Sequence, residues 1–119
     1  EKVYLVGDQS NPYRYIKNAD VLFLPSYHEA APMVIGEAKS LAVPVITTET
    51  TSAKEMVIQY SEGFVCGNDY ESIYQTLKDV LDNPERLMLC RKYLEGIQYN
   101  NNEALRGFSK LIDEIQTVR

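Results

Sequence analysis

Residues 25–41, PSYHEAAPMVIGEAKSL, hold the chain's densest group of side chains able to do chemistry. Glu29 and Glu37 stand with seven residues between them. Pro32, lying between the two, has the fixed backbone angle that suits a helix start. The first N–H groups of a helix have no acceptor within it, so the backbone around Ala31, Met33 and Val34 offers donors to an anion such as phosphate. A carboxylate accepts from two hydroxyls at once, which matches a sugar or ribose diol. The segment therefore combines one anion cradle with two diol acceptors. The same spacing also describes an ordinary helix with an acidic residue near its favoured end. His28 is the chain's single histidine. An imidazole can serve as acid or base, but the place of His28 beside Glu29 reads as an exposed loop position.

The elements that must position this segment alternate. Val3–Val6, Val21–Leu24, Val43–Thr47 and Gly63–Cys66 are short apolar runs ended by Gly, Pro or Asn/Asp. Helical patterns separate them. The first begins at Asn11-Pro12 with Tyr15, Ile16 and Ala19 on one face, and the second runs from Pro32 to about Leu41. Ser52-Ala53-Lys54-Glu55 has the form of a capping box and predicts a helix to about Tyr60. Continuous apolar strands separated by helices indicate a parallel sheet covered on both faces. The fold class is thus α/β, a three-layer Rossmann-like sheet of about four strands with C-terminal helices. After residue 69 only helical stripes remain: Ile73, Leu77, Val80 and Leu81; then Leu87, Cys90 and Leu94 after Asn83-Pro84-Glu85. Asn100-Asn101-Asn102 breaks the pattern before a last stripe of Leu105, Phe108, Leu111, Ile112 and Ile115. That stripe is either core or a surface for a further domain.

Composition narrows the function. The chain has 119 residues, one domain at most, with 17 acidic against 12 basic side chains and a net charge of −5. Nucleic-acid binding, which needs a basic footprint, is set aside. No apolar run approaches a membrane span. Cys66 and Cys90 form no C-x-x-C pair, and one histidine builds no His/Cys metal site; they read as reduced, partly buried thiols of a cytoplasmic protein. Tyr13 and Tyr15 are candidates for stacking on a nucleobase or for packing. Asp20 reads as a turn residue.

The Glu29/Glu37 pair resembles the paired-glutamate motif of retaining glycosyltransferases of the GT-B fold, and is most similar to the family 4 enzymes of bacterial polysaccharide and lipopolysaccharide synthesis. The flanks agree in order: Leu5-Val6-Gly7, Asn11-Pro12-Tyr13 through Asp20, Leu24-Pro25-Ser26, Pro44-Val45-Ile46-Thr47, Glu55 and Gly63. The likeness covers residues 3–69, and the helical pattern alone continues it. It implies that Glu37 binds the nucleotide ribose and that Glu29, the catalytic candidate, lies at the donor-sugar hydroxyls. By the same resemblance Ala30, Ala31, Met33 and Val34 approach sugar and diphosphate, and Thr50, Thr51 and Ser52 lie near the same ligand. No cofactor or metal is implied; the nucleoside-diphosphate sugar is a substrate.

Three positions depart from the family pattern. Ala30 and Ala42 stand where glycine is frequent, and Thr50-Thr51-Ser52 replaces a glycine pair. An alanine that kept a left-handed backbone at residue 42 would cost roughly 1 kcal/mol. The resemblance also implies that residues 1–119 are part of a C-terminal donor-binding domain, with the N-terminal acceptor domain and the first donor-domain strands lying elsewhere. The arginine and lysine that neutralise the leaving diphosphate would lie there too; Arg14, Lys17 and Lys39 are poor substitutes by position. The expected full-length enzyme transfers a sugar from a nucleoside-diphosphate sugar to a glycan or lipid-linked acceptor, at the inner face of the membrane, and the fragment alone is expected to be inactive. A GT-B-like sugar-nucleotide epimerase and a non-catalytic nucleotide-binding or interaction module are the alternatives. With strands lacking, Val3–Val6 is expected to pair directly with Val21–Leu24; the alternative is closure of open edges by a second copy, a dimer.

Overall fold

The computed structural model describes residues 2–97 and 102–117. Its centre is a parallel sheet of three strands, β1 (Leu22–Leu24), β2 (Val45–Thr48) and β3 (Gly63–Cys66), in the order β1-β2-β3. Leu24 lies opposite Thr47, and Thr48 opposite Cys66. The strand ends and the loops beyond them therefore gather on one rim of the sheet. The helices are α1 (Tyr13–Lys17), α2 (Met33–Ser40), α3 (Ala53–Met56), α4 (Tyr70–Asp82), α5 (Glu85–Glu95) and α6 (Asn102–Thr117).

The strands are apolar up to the threonine pair that ends β2 because both faces are covered. Val45 points into a cluster with Ile35, Ala38, Val43 and Val57, to which Leu22, Leu24 and Val65 add. Its neighbour Ile46 points the other way, into Phe64, Val80 and Cys90, with Val21, Leu77 and Leu87 beside them. This is period-two alternation with a core on each side. β2, the central strand, is buried along its whole length. Burying a side chain such as Ile46 contributes about 1.5–3 kcal/mol. Gly63 admits β3 to β2: a Cβ there would lie 1.9 Å from the Val45 carbonyl oxygen.

The outer edge of β3 is closed from within. The Gln59 side chain accepts from the Val65 N–H at 2.6 Å and donates to the Val65 carbonyl at 3.2 Å, while the Tyr60 N–H donates to the Gly63 carbonyl. A row of open backbone groups, the usual liability of an edge strand, is thereby shortened.

The two ends of α2 are set by different residues. Pro32 precedes its first residue, as the sequence predicts. At the other end Ala42 has φ +57°, its N–H donates to the Lys39 carbonyl and the Val43 N–H to the Ala38 carbonyl. This is a Schellman motif with alanine in the position that glycine normally takes. Below it, Lys39 and the buried Glu62 form an ion pair at 2.9 Å. Glu62 also accepts from the Ile58 N–H, and Lys39 donates to the Met56 carbonyl.

Several expectations are corrected. Val3–Val6 forms no strand and does not pair with Val21–Leu24; Val3, Tyr4 and Leu5 are 86%, 74% and 96% exposed. The sheet therefore has three strands among the described residues, not four. The segment expected to carry the chain back as a crossover holds a helix of only five residues. At about 1.5 Å per residue it is shorter than the roughly 13 Å of a four-residue strand. The capping box does not form either. Ser52 sits in the helical region (φ −111°, ψ −4°) without a side-chain cap bond, and α3 stops at Met56 rather than Tyr60. A capping serine needs an extended backbone for its hydroxyl to reach forward; here Val57 turns extended and dives into the core. Leu81 is exposed although its stripe-mates Ile73, Leu77 and Val80 are covered. On α6, Phe108, Leu111, Ile112 and Ile115 are 37–63% exposed, so the core reading of that stripe falls; the side chain of Leu105 and residues Asn100 and Asn101 lie outside the described residues.

Candidate functional site

The rim at the carboxyl ends of the strands carries the candidate residues. Glu29 lies in the loop between β1 and α2, half-buried, and its Oε1 accepts from the Ser26 hydroxyl at 3.1 Å. Glu37 lies on α2 beside the buried Ile35 and Ala38, and the Tyr13 phenol is 3.4 Å from its Oε1. Tyr13 thus leans toward a candidate carboxylate, while Tyr15 is engaged by Arg14, whose guanidinium donates to its hydroxyl at 2.8 Å and lies 4.8 Å from its ring centre. Ala30 and Ala31 are exposed in the loop, Met33 is exposed at the first turn of α2, and Val34 is half-buried. The first-turn N–H groups of Met33 and Val34 precede any helical acceptor, so α2 presents donors there. His28 is exposed, as expected for a loop residue.

Thr50, Thr51 and Ser52 come after β2 on the same rim. Thr50 gives its carbonyl to the Ala53 N–H, and Thr51 is exposed. Ser52 Oγ is buried with no hydrogen-bond partner. An orphaned hydroxyl of that kind costs about 1–3 kcal/mol, and it leaves a donor and acceptor unused beside the rim. Lys54 pairs with Glu49 just past the end of β2.

The structure also reveals polar groups that the sequence did not single out. Thr47 Oγ1 donates to the Leu24 carbonyl at 3.1 Å, and Thr48 Oγ1 donates to the Ser26 carbonyl. Asn68, in the loop after β3, reaches the Ser26 and Tyr27 carbonyls. A threonine pair closing an apolar strand and an asparagine in a turn are ordinary sequence features. Their role depends on which strands become neighbours.

Of the basic residues weighed as diphosphate partners, Lys39 is committed to Glu62 and the Met56 carbonyl, and Arg14 to Tyr15. Asp69 caps α4 and accepts from the Ser72 N–H at 2.8 Å and the Ser72 hydroxyl at 2.7 Å. Those bonds, the N–H first, hold its carboxyl below the ordinary value. Cys66 and Cys90 are buried free thiols whose burial raises both above the ordinary thiol value. Among the described residues, no helix is long and apolar enough to cross a membrane.

Comparison with known proteins bears on the family and the fold. The family model described as "Glycosyl transferases group 1" matches residues 1–96. The chain is 30% identical over 82 residues to the capsular polysaccharide biosynthesis glycosyltransferase CapM of Staphylococcus aureus, covering 68% of this chain and 22% of that protein. It is 22% identical to N,N'-diacetylbacillosaminyl-diphospho-undecaprenol alpha-1,3-N-acetylgalactosaminyltransferase of Campylobacter jejuni, covering 95% of this chain and 31% of the relative. It is 28% identical to UDP-Gal:alpha-D-GlcNAc-diphosphoundecaprenol alpha-1,3-galactosyltransferase of Escherichia coli, covering 99% of this chain and 30% of the relative. The chain therefore spans less than a third of the length of these relatives. Among solved structures, sucrose-phosphate synthase from Thermosynechococcus elongatus superposes with a TM-score of 0.78 at 21% identity, over 98% of this chain and 31% of that one, which shows a shared fold. With the family model matching four-fifths of its length, the chain belongs to the group 1 glycosyl transferases.

Proposed function

We propose that the intact protein transfers a sugar from a nucleoside-diphosphate sugar to a glycan or lipid-linked acceptor in cell-surface polysaccharide synthesis, with retention of anomeric configuration. Residues 1–119 supply part of the donor site. The observation that carries this reading is the rim itself. Two half-buried carboxylates flank the start of α2, each with a hydroxyl at one oxygen and no basic side chain within hydrogen-bonding distance among the described residues. Carboxylates held this way keep acceptor capacity for diols. The relatives whose names give diphospho-undecaprenol-linked sugars support a lipid-linked acceptor; we place the intact enzyme's work at the inner face of the membrane on that ground.

In this reading Glu37 accepts the ribose hydroxyls and Glu29 the hydroxyls of the transferred sugar. The N–H groups at the start of α2 meet the diphosphate, with Ala30 and Ala31 lining the approach. Thr50, Thr51 and Ser52 border the same ligand, the Ser52 hydroxyl being buried without a protein partner. A hydrogen bond to a charged group is worth about 1.5–3 kcal/mol, so Glu37→Ala in the intact enzyme lowers donor affinity more than tenfold while the fold survives. Glu29→Gln lowers turnover and leaves binding of the free nucleoside diphosphate nearly unchanged. Calorimetry with UDP and GDP beside turnover assays tests both. Unchanged donor affinity in Glu37→Ala overturns the ribose assignment, and an equal loss of diphosphate binding and turnover in Glu29→Gln overturns the division of roles.

A further inference from the structure

The loop that carries Glu29 is fastened to the sheet by side chains from two other elements. Asn68 is half-buried between β3 and α4, 41 and 42 residues along the chain from its partners. Its Nδ2 lies 3.3 Å from the Ser26 carbonyl oxygen and 3.3 Å from that of Tyr27. One amide nitrogen carries two hydrogens, so a single side chain can serve both carbonyls. The Ser26 carbonyl takes a further bond from Thr48 Oγ1, at the end of β2. The Ser26 hydroxyl in turn donates to Glu29 Oε1. Asn68 is itself held in place, because the next residue, Asp69, is pinned to Ser72 as the cap of α4.

We propose that Asn68 is a positioning residue for the sugar-transfer step: its amide fixes the Ser26–Tyr27 carbonyls, and so sets the Ser26 hydroxyl that orients the Glu29 carboxylate. The proposal rests on Glu29 facing the transferred sugar. Asn68 acts only through Ser26 and Glu29 and does not itself touch the nucleotide. Its loss therefore alters the geometry of the reacting centre more than the affinity for the nucleotide. A misplacement of reacting groups by about 1 Å can cost up to 100-fold in rate.

The test is a double-mutant cycle in the intact enzyme with Asn68→Ala, Glu29→Gln and the combined variant, reading kcat, KM for the donor and binding of free UDP and GDP. Asn68→Ala is expected to lower kcat by about tenfold or more with diphosphate affinity unchanged. The combined variant is expected to be no slower than Glu29→Gln alone, because residues acting through one group are not additive. Asn68→Asp, equal in shape but unable to donate when ionised, should be impaired like the alanine variant; a general loss of packing would spare it. Independent, multiplying losses in the combined variant, or wild-type kcat in Asn68→Ala, overturn the proposal. Amide exchange at Ser26, whose N–H donates to the Leu24 carbonyl at 3.1 Å, separates the two layers without using activity. Faster exchange in Asn68→Ala is required by the clamp, and unchanged exchange overturns it. Wild-type turnover in Glu29→Gln instead overturns the role of Glu29 and with it the catalytic part of the proposal.

Discussion

Ala42→Gly is a substitution for which the structure sets both sign and size. Ala42 has φ +57° and closes the Schellman motif at the end of α2. A left-handed backbone costs an L-residue roughly 1–2 kcal/mol, which glycine avoids. Glycine brings an opposing cost of roughly 0.5–1 kcal/mol, because it has more freedom to lose on folding. The difference leaves Ala42→Gly more stable by about 0.5–1 kcal/mol, an appreciable share of the ~5–15 kcal/mol of a typical domain. In urea, at a slope of about 2 kcal/mol per molar, the midpoint rises by roughly 0.3–0.5 M with the slope unchanged. Ala38→Gly, four residues back on the same helix, is the control: Ala38 is helical and fully buried, so glycine there must destabilise. A midpoint that falls in Ala42→Gly as it falls in the control would refute the left-handed assignment and the strain argued from it.

The Lys39–Glu62 pair, with side chains 14% and 4% exposed, tests what a buried charge costs. Removing one partner of such a pair costs about 3–5 kcal/mol, so Glu62→Ala should lose most of that in a denaturant melt, and the double variant Lys39→Met/Glu62→Leu should recover much of it. A loss under about 1 kcal/mol, the worth of an exposed pair, contradicts the burial. Asp69 makes a pH prediction. Its carboxyl is held below the ordinary 3.8 by the Ser72 N–H and then the Ser72 hydroxyl, so the folded state favours the ionised form. Its contribution is complete above that value and is lost as pH falls through the lower folded value. Asp69→Asn, which keeps a capping oxygen but cannot titrate, should flatten the stability profile below about pH 4; an unchanged profile in melts across that range contradicts the shift.

What the sequence by itself determined is the part governed by local pattern. The runs Val21–Leu24, Val43–Thr47 and Gly63–Cys66 hold the strands, within a residue or two, because they are largely apolar and each is closed by Pro, Gly or a polar residue. Pro32 announces α2, and the stripes after residue 69 become α4, α5 and α6. Glu29 and Glu37 could be singled out as candidates because their spacing lies along a single loop and helix. Tertiary structure decided the rest. Val3–Val6 has the composition of a strand, but a strand exists only through a neighbour's backbone, and none meets it here. Ser52 and Glu55 have the spacing of a capping box, yet Val57 is drawn into the core and α3 ends before the box can close. Asn68 and Thr48 carry no local sign of their task. They act on carbonyls 42 and 22 residues away, and parallel pairing alone brings those ends together.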